Sequence, residues 1–312
     1  MSESIKMRLP ATSANLGPAF DAAALALNLH LEIEAAPAGL FAVTAEGRDA
    51  ELCGNLRRHL ILDTYTEILS AGRKEVVPLS LRIRNQIPLG KGLGSSAAAR
   101  LAAIAFANHF GQLGWRESRV LYEAALREGH PDNVAACWLG GLAAAAMPAA
   151  GEAGVQAVKF APPVRWPIVA AVPPRPLSTE MARTVLPESY PRADVVSNLQ
   201  RSLLLLGAWM QGDREALGEA LHDRLHEPYR EQLCPLLPAM RSLAGREGVL
   251  GVVLSGAGPS VLLILDRAAE TDHVVAQARR SAHERGLEAE FILTGSEERG
   301  ARESLESAAV RS

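Results

Sequence analysis

The amino-acid sequence predicts an α+β fold with two domains. Segments that alternate apolar and polar residues, as half-buried strands do, occur in the first half of the 312-residue chain, and short apolar segments that predict strands occur in the second half. Helical patterns lie between them without a regular strand–helix–strand rhythm, which favours α+β over a doubly wound sheet. A stretch over 140–165 is rich in glycine, alanine and proline and has little periodicity. We therefore predict an N-terminal domain over 1–155 and a C-terminal domain over 156–295.

The first half contains four predicted strands and three predicted helices. The clearest strand is 25–33, where the odd positions are apolar and the even positions include Asn28, His30 and Glu32. A short strand over 5–9 is expected to end at Pro10, because proline cannot donate to a strand ladder. Further strands are predicted at 40–45 and 79–84. Helical spacing predicts helices over 56–69, 95–110 and 117–127.

The second half opens with a predicted strand over 168–172. Helical patterns follow at 193–210, 214–225 and 235–245. Two strands over 249–254 and 261–265 flank a glycine turn, and a helix over 268–285 and a strand over 288–293 complete the domain. From Ser296 onward the chain is polar and charged, which predicts a disordered tail over 296–312.

Composition argues against several classes of function. The formal net charge is −3 and no long basic run occurs, so a nucleic-acid partner is not expected. No uninterrupted stretch of about 18 apolar residues predicts a membrane span. Cys53, Cys137 and Cys234 are too few and too far apart for a disulfide framework or a zinc site. Charged residues precede any apolar run at the N-terminus, unlike a signal peptide. We expect a soluble, reduced, cytoplasmic protein.

The strongest functional signal is a glycine-rich loop between a predicted strand and a predicted helix. Gly90, Gly92 and Gly94 allow the backbone to bring its N–H groups close to an anion. Ser95 and Ser96 begin the helix, where free N–H groups and the helix dipole favour phosphate. The predicted nucleotide loop comprises Pro88, Leu89, Gly90, Lys91, Gly92, Leu93, Gly94, Ser95, Ser96, Ala97 and Ala98. It is neither a Walker A loop nor GxGxxG. The alternative is a flexible connection in which Ser95 caps the helix.

Together with three other segments, this loop resembles the GHMP kinases. PLGKGLGSSAA over 88–98 is similar to their ATP loop, and LSGAGPS over 254–260 is similar to their C-terminal motif. PATSANLGPAFD over 10–21 and EGHPDNVA over 128–135 resemble segments of the homoserine kinases within that family. The resemblance covers nearly the whole chain.

The resemblance implies both a fold and a reaction. The N-terminal half is expected to be like domain 2 of ribosomal protein S5, and the C-terminal half ferredoxin-like. The implied reaction moves the γ-phosphate of ATP to the hydroxyl of L-homoserine, forming O-phospho-L-homoserine in threonine biosynthesis. ATP and L-homoserine are the expected partners and Mg²⁺ the expected cofactor. A homodimer is left open.

By resemblance, Ser96 and Glu128 hold Mg²⁺, and a hydroxyl with a carboxylate suits that ion. Glu123, on the same predicted helix, is the alternative ligand. The alternatives without a metal are that Ser96 only begins the helix and that Glu128 is a solvated charge at a helix end. Asn133 occupies the place where some family members have an aspartate base, so we expect catalysis by positioning and electrostatics. Asp132 is expected to point elsewhere.

The remaining candidates belong to the implied substrate pocket. Asn15 and Asp21 are expected to hold the amino and hydroxyl ends of homoserine, and His130 and Asn133 to border the pocket. Thr179, Arg183 and Arg230 are expected near the α-carboxylate, which two guanidinium groups can bind. The alternatives are a turn at Asn15, a structural histidine at His130 and surface salt bridges at the arginines.

The chain departs from the family pattern at Ala19, where the family has glycine. If that position needs a positive φ, alanine costs roughly 1–2 kcal/mol. Three other functions remain open at this point: a GHMP kinase for threonine, mevalonate or a sugar, an inactive ligand-binding member of the family, and an RNA-binding protein that shares the N-terminal fold.

Overall fold

The computed structural model describes residues 4–149 and 154–309. Within these residues the strands form two sheets, one in each half of the chain. The first sheet contains β1 (Ile5–Asn15), β2 (Ala19–Pro37), β3 (Ala42–Gly47), β4 (Leu79–Asn85), β5 (Leu142–Ala146) and β6 (Gln156–Phe160). Its order is β3-β4-β2-β5-β6, with β1 paired to β2. The β3–β4 pair is parallel and the other pairs are antiparallel.

Strand β1 is longer than its sequence predicts, because Pro10 does not end it. The pairing of β1 with β2 shifts register between Pro10 and Ala11 and then continues to Asn15. An irregularity of this kind tolerates a residue without an N–H group. The continuation carries the chain to the turn between Asn15 and Ala19, where the motif over 10–21 reverses direction into β2.

Helices cover the first sheet. They are α1 (Ala50–Cys53), α2 (Leu60–Ala71), α3 (Ser95–Phe110), α4 (Glu117–Glu128) and α5 (Asp132–Leu139). The alanine-rich helix α3 buries Leu101, Ile104 and Phe106 and packs against α2, α4 and β1. The sequence pattern predicts α3 and α4 closely but misses α5, whose eight residues are too few for a clear helical period.

The second sheet has the strand order β10-β7-β9-β8 and is antiparallel. Its strands are β7 (Pro167–Val172), β8 (Val249–Leu254), β9 (Val261–Leu265) and β10 (Glu290–Gly295). The helices of this half are α6 (Thr179–Thr184), α7 (Arg192–Gln211), α8 (Arg214–Ala220), α9 (Glu227–Arg230), α10 (Leu236–Arg241) and α11 (Thr271–Glu284). When the four strands are numbered 1 to 4 along the chain, their order across the sheet is 4-1-3-2, the ferredoxin-like arrangement. The expected α+β fold is confirmed.

The two sheets divide the chain slightly later than the predicted boundary between residues 155 and 156. Strand β6 pairs with β5 and so belongs to the first sheet. The next strand, β7, begins the second sheet.

The predicted disordered tail is wrong for the described residues after 296. Helix α12 (Ala301–Ala309) packs against β1 and α5, with Ala301 fully buried and Leu305 against the core. Leu305 is the one large apolar residue in the sequence of this helix, so its composition resembles that of a solvated tail. Residues 310–312 of the predicted tail lie outside the described residues. In the part of the chain that the structure describes, no helix is both long and apolar enough to cross a membrane.

Candidate active site

A cleft of about 580 Å³ collects residues from both halves of the chain. Most of the candidates predicted from sequence line it: Asn15, Asp21, Leu89, Gly90, Gly92, Gly94, Ser95, Ser96, Glu128, His130, Asn133, Thr179, Arg183 and Arg230. Motifs that lie far apart in sequence, such as those over 10–21 and 254–260, therefore meet at one place. Pro88, Lys91, Leu93, Ala97, Ala98 and Glu123 do not line the cleft.

The glycine loop reaches the N-terminus of α3 through residues in left-handed conformations. Gly94 has φ 71° and precedes the helix, and no side chain caps the first turn. A Cβ on Gly94 would lie 1.9 Å from the hydroxyl of Thr12, and one on Gly92 would lie 2.4 Å from the carbonyl oxygen of Ser255. These two positions therefore require glycine. The uncapped first turn leaves N–H groups that can bind an anion.

The other loop residues support this geometry from outside the cleft. Pro88, Leu93, Ala97 and Ala98 are buried. The ammonium group of Lys91 donates a hydrogen bond to the carbonyl oxygen of Pro174 in the second half. Lys91 thus ties the loop to the other domain.

Ser96 and Glu128 contact each other directly. The Ser96 hydroxyl donates to Glu128 Oε2 over 2.9 Å, and Arg100 donates to Glu128 Oε1 over 2.7 Å. The rival carboxylate, Glu123, is paired with Arg119 and, over 2.5 Å, with Arg127. Of the two candidate carboxylates, Glu123 and Glu128, only Glu128 contacts Ser96.

Helix α5 begins beside Glu128 and supplies a second polar cluster. His130 Nδ1 lies 2.5 Å from Asp132 Oδ1, which also accepts the N–H of Asn133 over 2.6 Å. Asp132 is fully buried, and its Oδ2 has no hydrogen-bond partner among the described residues. Burial lowers the pKa of His130, but the hydrogen bond and charge of Asp132, with the charges of Asp21 and Glu128, raise it above the ordinary histidine value.

The expectation that Asp132 points elsewhere is wrong, because its side chain lines the same cleft as Asn133. The side chains of these adjacent residues point in similar directions, because Asp132 begins α5 and its carboxylate accepts the N–H of Asn133. An acidic residue at a helix start was the available signal.

The turn between β1 and β2 presents Asp21 to the cleft. Asn15 and Asp21 have φ values of 73° and 53°, whereas Ala19 is not among the described residues with positive φ. Alanine at that position therefore brings no backbone strain. Asn15 is buried, accepts the N–H of Asp21 and donates to the carbonyl oxygen of Gly256. Both ends of its amide hold the surrounding loops together.

Two arginines from the second half complete this side of the cleft. Arg183, on α6, donates to both carboxylate oxygens of Asp21 over 2.9 Å. Arg230 is buried and lies 5.2 Å from the ring of Phe20, and Arg183 lies 5.8 Å from the same ring. Burial and then the charge of Arg183 lower the pKa of Arg230. The carboxylate of Asp21 and the guanidinium groups of Arg183 and Arg230 thus lie next to each other.

Sequence reasoning overlooked His226, which holds Arg230 in place. Its Nε2–H donates to the carbonyl oxygen of Gly17 over 2.8 Å, which leaves Nδ1 to accept from Arg230 over 3.1 Å. Burial lowers the pKa of His226 to about 4, so the ring is neutral as this arrangement requires. His226 lies four residues before Arg230, and residues at that spacing are neighbours on a helix, so the sequence did contain a signal for this contact.

Comparisons with known proteins agree with the architecture. The family profile described as GHMP kinases N terminal domain matches residues 59–141, and GHMP kinases C terminal matches 197–284. The crystal structure of homoserine kinase from Cytophaga hutchinsonii has a TM-score of 0.78 and 23% identity, and the match covers 96% of this chain and 97% of that one. At that identity the likeness concerns the fold.

Relatives in sequence are closer. A homoserine kinase from Solibacter usitatus is 43% identical over 267 residues, which cover 85% of this chain and 86% of the relative. The homoserine kinase of Thermus thermophilus is 40% identical over 299 residues, which cover 93% and 95%. With both domain profiles matched in order and such similarity over most of its length, this chain belongs to the homoserine kinases of the GHMP kinase family.

Proposed function

We propose that this protein transfers the γ-phosphoryl group of ATP to the hydroxyl of L-homoserine, forming O-phospho-L-homoserine for threonine biosynthesis. The observation that carries the proposal is the contact between Asp21 and Arg183 in the cleft that the glycine loop also lines. An amino acid bears its ammonium and carboxylate groups on one carbon. A site for an amino acid therefore needs an anionic and a cationic side chain next to each other. Mevalonate and sugars lack the ammonium group and do not need the anionic side chain.

The nucleotide end of the reaction is supported by the loop over 88–98. Phosphoryl transfer needs little covalent help, and its transition state is stabilised by oriented dipoles and charges. The uncapped N–H groups at the start of α3 meet this need. Beyond the loop, the cleft is lined by Leu52, Leu60 and Ile61 and by the side chain of Arg58. This apolar end suits a nucleotide base.

Ser96 and Glu128 fit a magnesium ion. Their oxygens are 2.9 Å apart at the edge of the glycine loop, and a hydroxyl and a carboxylate are hard oxygen donors of the kind Mg²⁺ takes. When bound, Mg²⁺ neutralises charge on the phosphate oxygens. Arg100 keeps Glu128 oriented toward Ser96 through the second carboxylate oxygen.

The substrate end is supported by groups of matching charge. We assign the ammonium group of homoserine to Asp21 and its carboxylate to Arg183 and Arg230, with Thr179 at the cleft wall. Asn133 lines the same cleft as this cluster and Glu128, so it can hold the reacting hydroxyl. An amide does not accept a proton at neutral pH. The reaction is therefore driven by positioning and electrostatics.

A coupled assay of ADP release tests the proposal with L-homoserine, L-threonine, mevalonate and galactose as acceptors. We expect kcat/KM to be highest for homoserine, and lower for threonine because its hydroxyl is one carbon nearer to the charged groups. A preference for mevalonate or galactose would assign the chain another substrate. Nucleotide binding without turnover of any acceptor would indicate a ligand-binding protein.

We further propose a cytoplasmic location and a homodimer. Cys53, Cys137 and Cys234 are free thiols, which a reducing compartment maintains. A row of exposed apolar side chains on α7 supports association of two copies, as developed below.

A further inference from the structure

We infer that Thr12 is a positioning residue that fixes the side-chain amide of Asn133 with its NH₂ group toward the reacting oxygens. The inference rests on the proposed phosphoryl transfer and adds to it a residue that does not itself line the cleft.

Thr12 stands at the junction of three segments of the site. It is fully buried, and its hydroxyl donates to Asn133 Oδ1 over 2.7 Å. Its backbone N–H donates to the carbonyl oxygen of Leu93 over 3.1 Å. Its side chain fills the space that a Cβ on Gly94 would occupy. Thr12 therefore links the start of α3, which faces the phosphates, to the start of α5.

The direction of the Thr12–Asn133 hydrogen bond sets the amide orientation. The hydroxyl of Thr12 has one proton, and among the described residues Asn133 Oδ1 is the acceptor it reaches. A flipped amide would present NH₂ to the hydroxyl and leave that buried proton without an acceptor, which is unfavourable. The flip would also turn the amide oxygen into a cleft that the carboxylates of Glu128 and Asp132 line. Both effects favour NH₂ toward the cleft.

This orientation defines what Asn133 can do. An NH₂ group donates to oxygen lone pairs, so it can hold the acceptor hydroxyl of the substrate or an oxygen of the transferred phosphoryl group. It can accept no proton from the hydroxyl. Loss of the Thr12 hydroxyl should therefore let the amide rotate and weaken alignment in the transition state more than it weakens binding of either substrate.

The test compares two substitutions that differ in the hydroxyl. Thr12→Val keeps the shape and removes the hydroxyl, whereas Thr12→Ser keeps the hydroxyl and removes the methyl group. We expect Thr12→Val to lower kcat about tenfold while the KM values for ATP and homoserine change less than about twofold. Thr12→Ser should restore kcat to within about threefold of the wild type. Thr12→Ala replaces Thr12→Val if the valine variant does not fold.

A double-mutant cycle with Asn133→Ala separates positioning from a general effect on the loop. If Thr12 acts through Asn133, Thr12→Val should lower kcat no further once the amide is absent. Additive losses, an unchanged kcat in Thr12→Val, or an increase in the KM for ATP alone would each overturn the inference. A wild type that does not phosphorylate homoserine would instead contradict the proposed function.

Discussion

At the scale of single residues, the choice between Glu123 and Glu128 is made by their partners. Both lie on α4, but Glu123 is held by Arg119 and Arg127 on the same helix. Glu128 is the last residue of the helix, so no following helical turn covers its side chain, which contacts Ser96. A helix end beside a glycine turn is well suited to extend a carboxylate into a cleft.

We predict that Glu128→Gln lowers turnover about 10²-fold at limiting Mg²⁺, because a neutral amide is a poor ligand for a hard cation. Ser96→Ala should lower it in the same direction. Glu123→Gln is the matched control on the same helix and should leave the Mg²⁺ dependence unchanged. Turnover measured across a Mg²⁺ titration decides the assignment. Wild-type turnover in Glu128→Gln together with reduced turnover in Glu123→Gln would assign the ligand role to Glu123.

We predict that Arg183→Ala raises the KM for homoserine and leaves the KM for ATP nearly unchanged. Loss of a hydrogen bond to a charged group costs about 1.5–3 kcal/mol, which corresponds to about a ten- to hundredfold increase. Arg183→Lys should recover only part of this, because a point charge lacks the guanidinium fork.

Arg280→Ala, at an exposed position on α11, provides the control for that variant and should change neither KM. An effect of Arg183→Ala on ATP alone would mean that this arginine faces the nucleotide.

At the scale of elements, the segment that leads into α12 is held to the first sheet by the half-buried carboxylate of Glu297. His30 donates its Nε2–H to Glu297 over 3.0 Å, while Arg8 donates to His30 Nδ1 over 3.0 Å. The backbone of Glu297 also pairs with Ala26 in β2. The C-terminal segment thus returns to the first sheet and is part of its structure.

This contact predicts a specific pH dependence. The hydrogen bond from His30 lowers the pKa of Glu297 to about 2 against the burial that opposes it. Because the folded pKa lies below the ordinary 4.5, the stabilisation is complete above about pH 4.5 and is lost as the pH falls toward 2. After allowance for solvent screening we expect about 1–2 kcal/mol.

Glu297→Gln should therefore lower the free energy of unfolding by that amount at pH 7. The difference from the wild type should shrink as the pH falls from 4.5 to 3 in urea titrations. Glu284→Gln, on the exposed side of α11, is the control and should show no such trend. A difference that stays constant with pH would rule out the ionised carboxylate of Glu297 as the source.

At the scale of the whole molecule, α7 carries an apolar row that faces solvent. Val196, Leu199, Leu203 and Met210 are exposed by 44%, 60%, 72% and 42%, and their spacing of three, four and seven residues places them on one face. Rows of this kind are typical of an interface. A second copy offers the same row, so two α7 helices can cover each other around a two-fold axis.

We predict that the protein has twice the chain mass of 33.2 kDa in light-scattering measurements at micromolar concentration. Leu203→Glu should convert it to the monomer, because two carboxylates would be buried near the axis. Leu40→Glu changes a leucine that is 80% exposed in the loop between β2 and β3, and should leave the mass unchanged. A monomeric wild type would exclude the dimer.

The sequence by itself determined the parts of the molecule that local pattern encodes. Helix α3 begins at Ser95 as predicted, because the glycine loop before it and the alanine run after it specify the boundary. Strands β2 and β4 follow from alternating apolar residues, and β8 and β9 follow from apolar runs on either side of a glycine turn. The four motifs identified the family. Each of these signals is contained in about ten consecutive residues.

Only the tertiary structure decided which side chains share the cleft and which merely support it. The contact of Thr12 with Asn133 spans 121 residues and that of Asp21 with Arg183 spans 162. Such pairs depend on sheet register and on how the two halves pack, which no local period encodes. The same applies to α12, whose few apolar residues find their partners on β1 and α5, and to Asp132, whose burial depends on the fold around it.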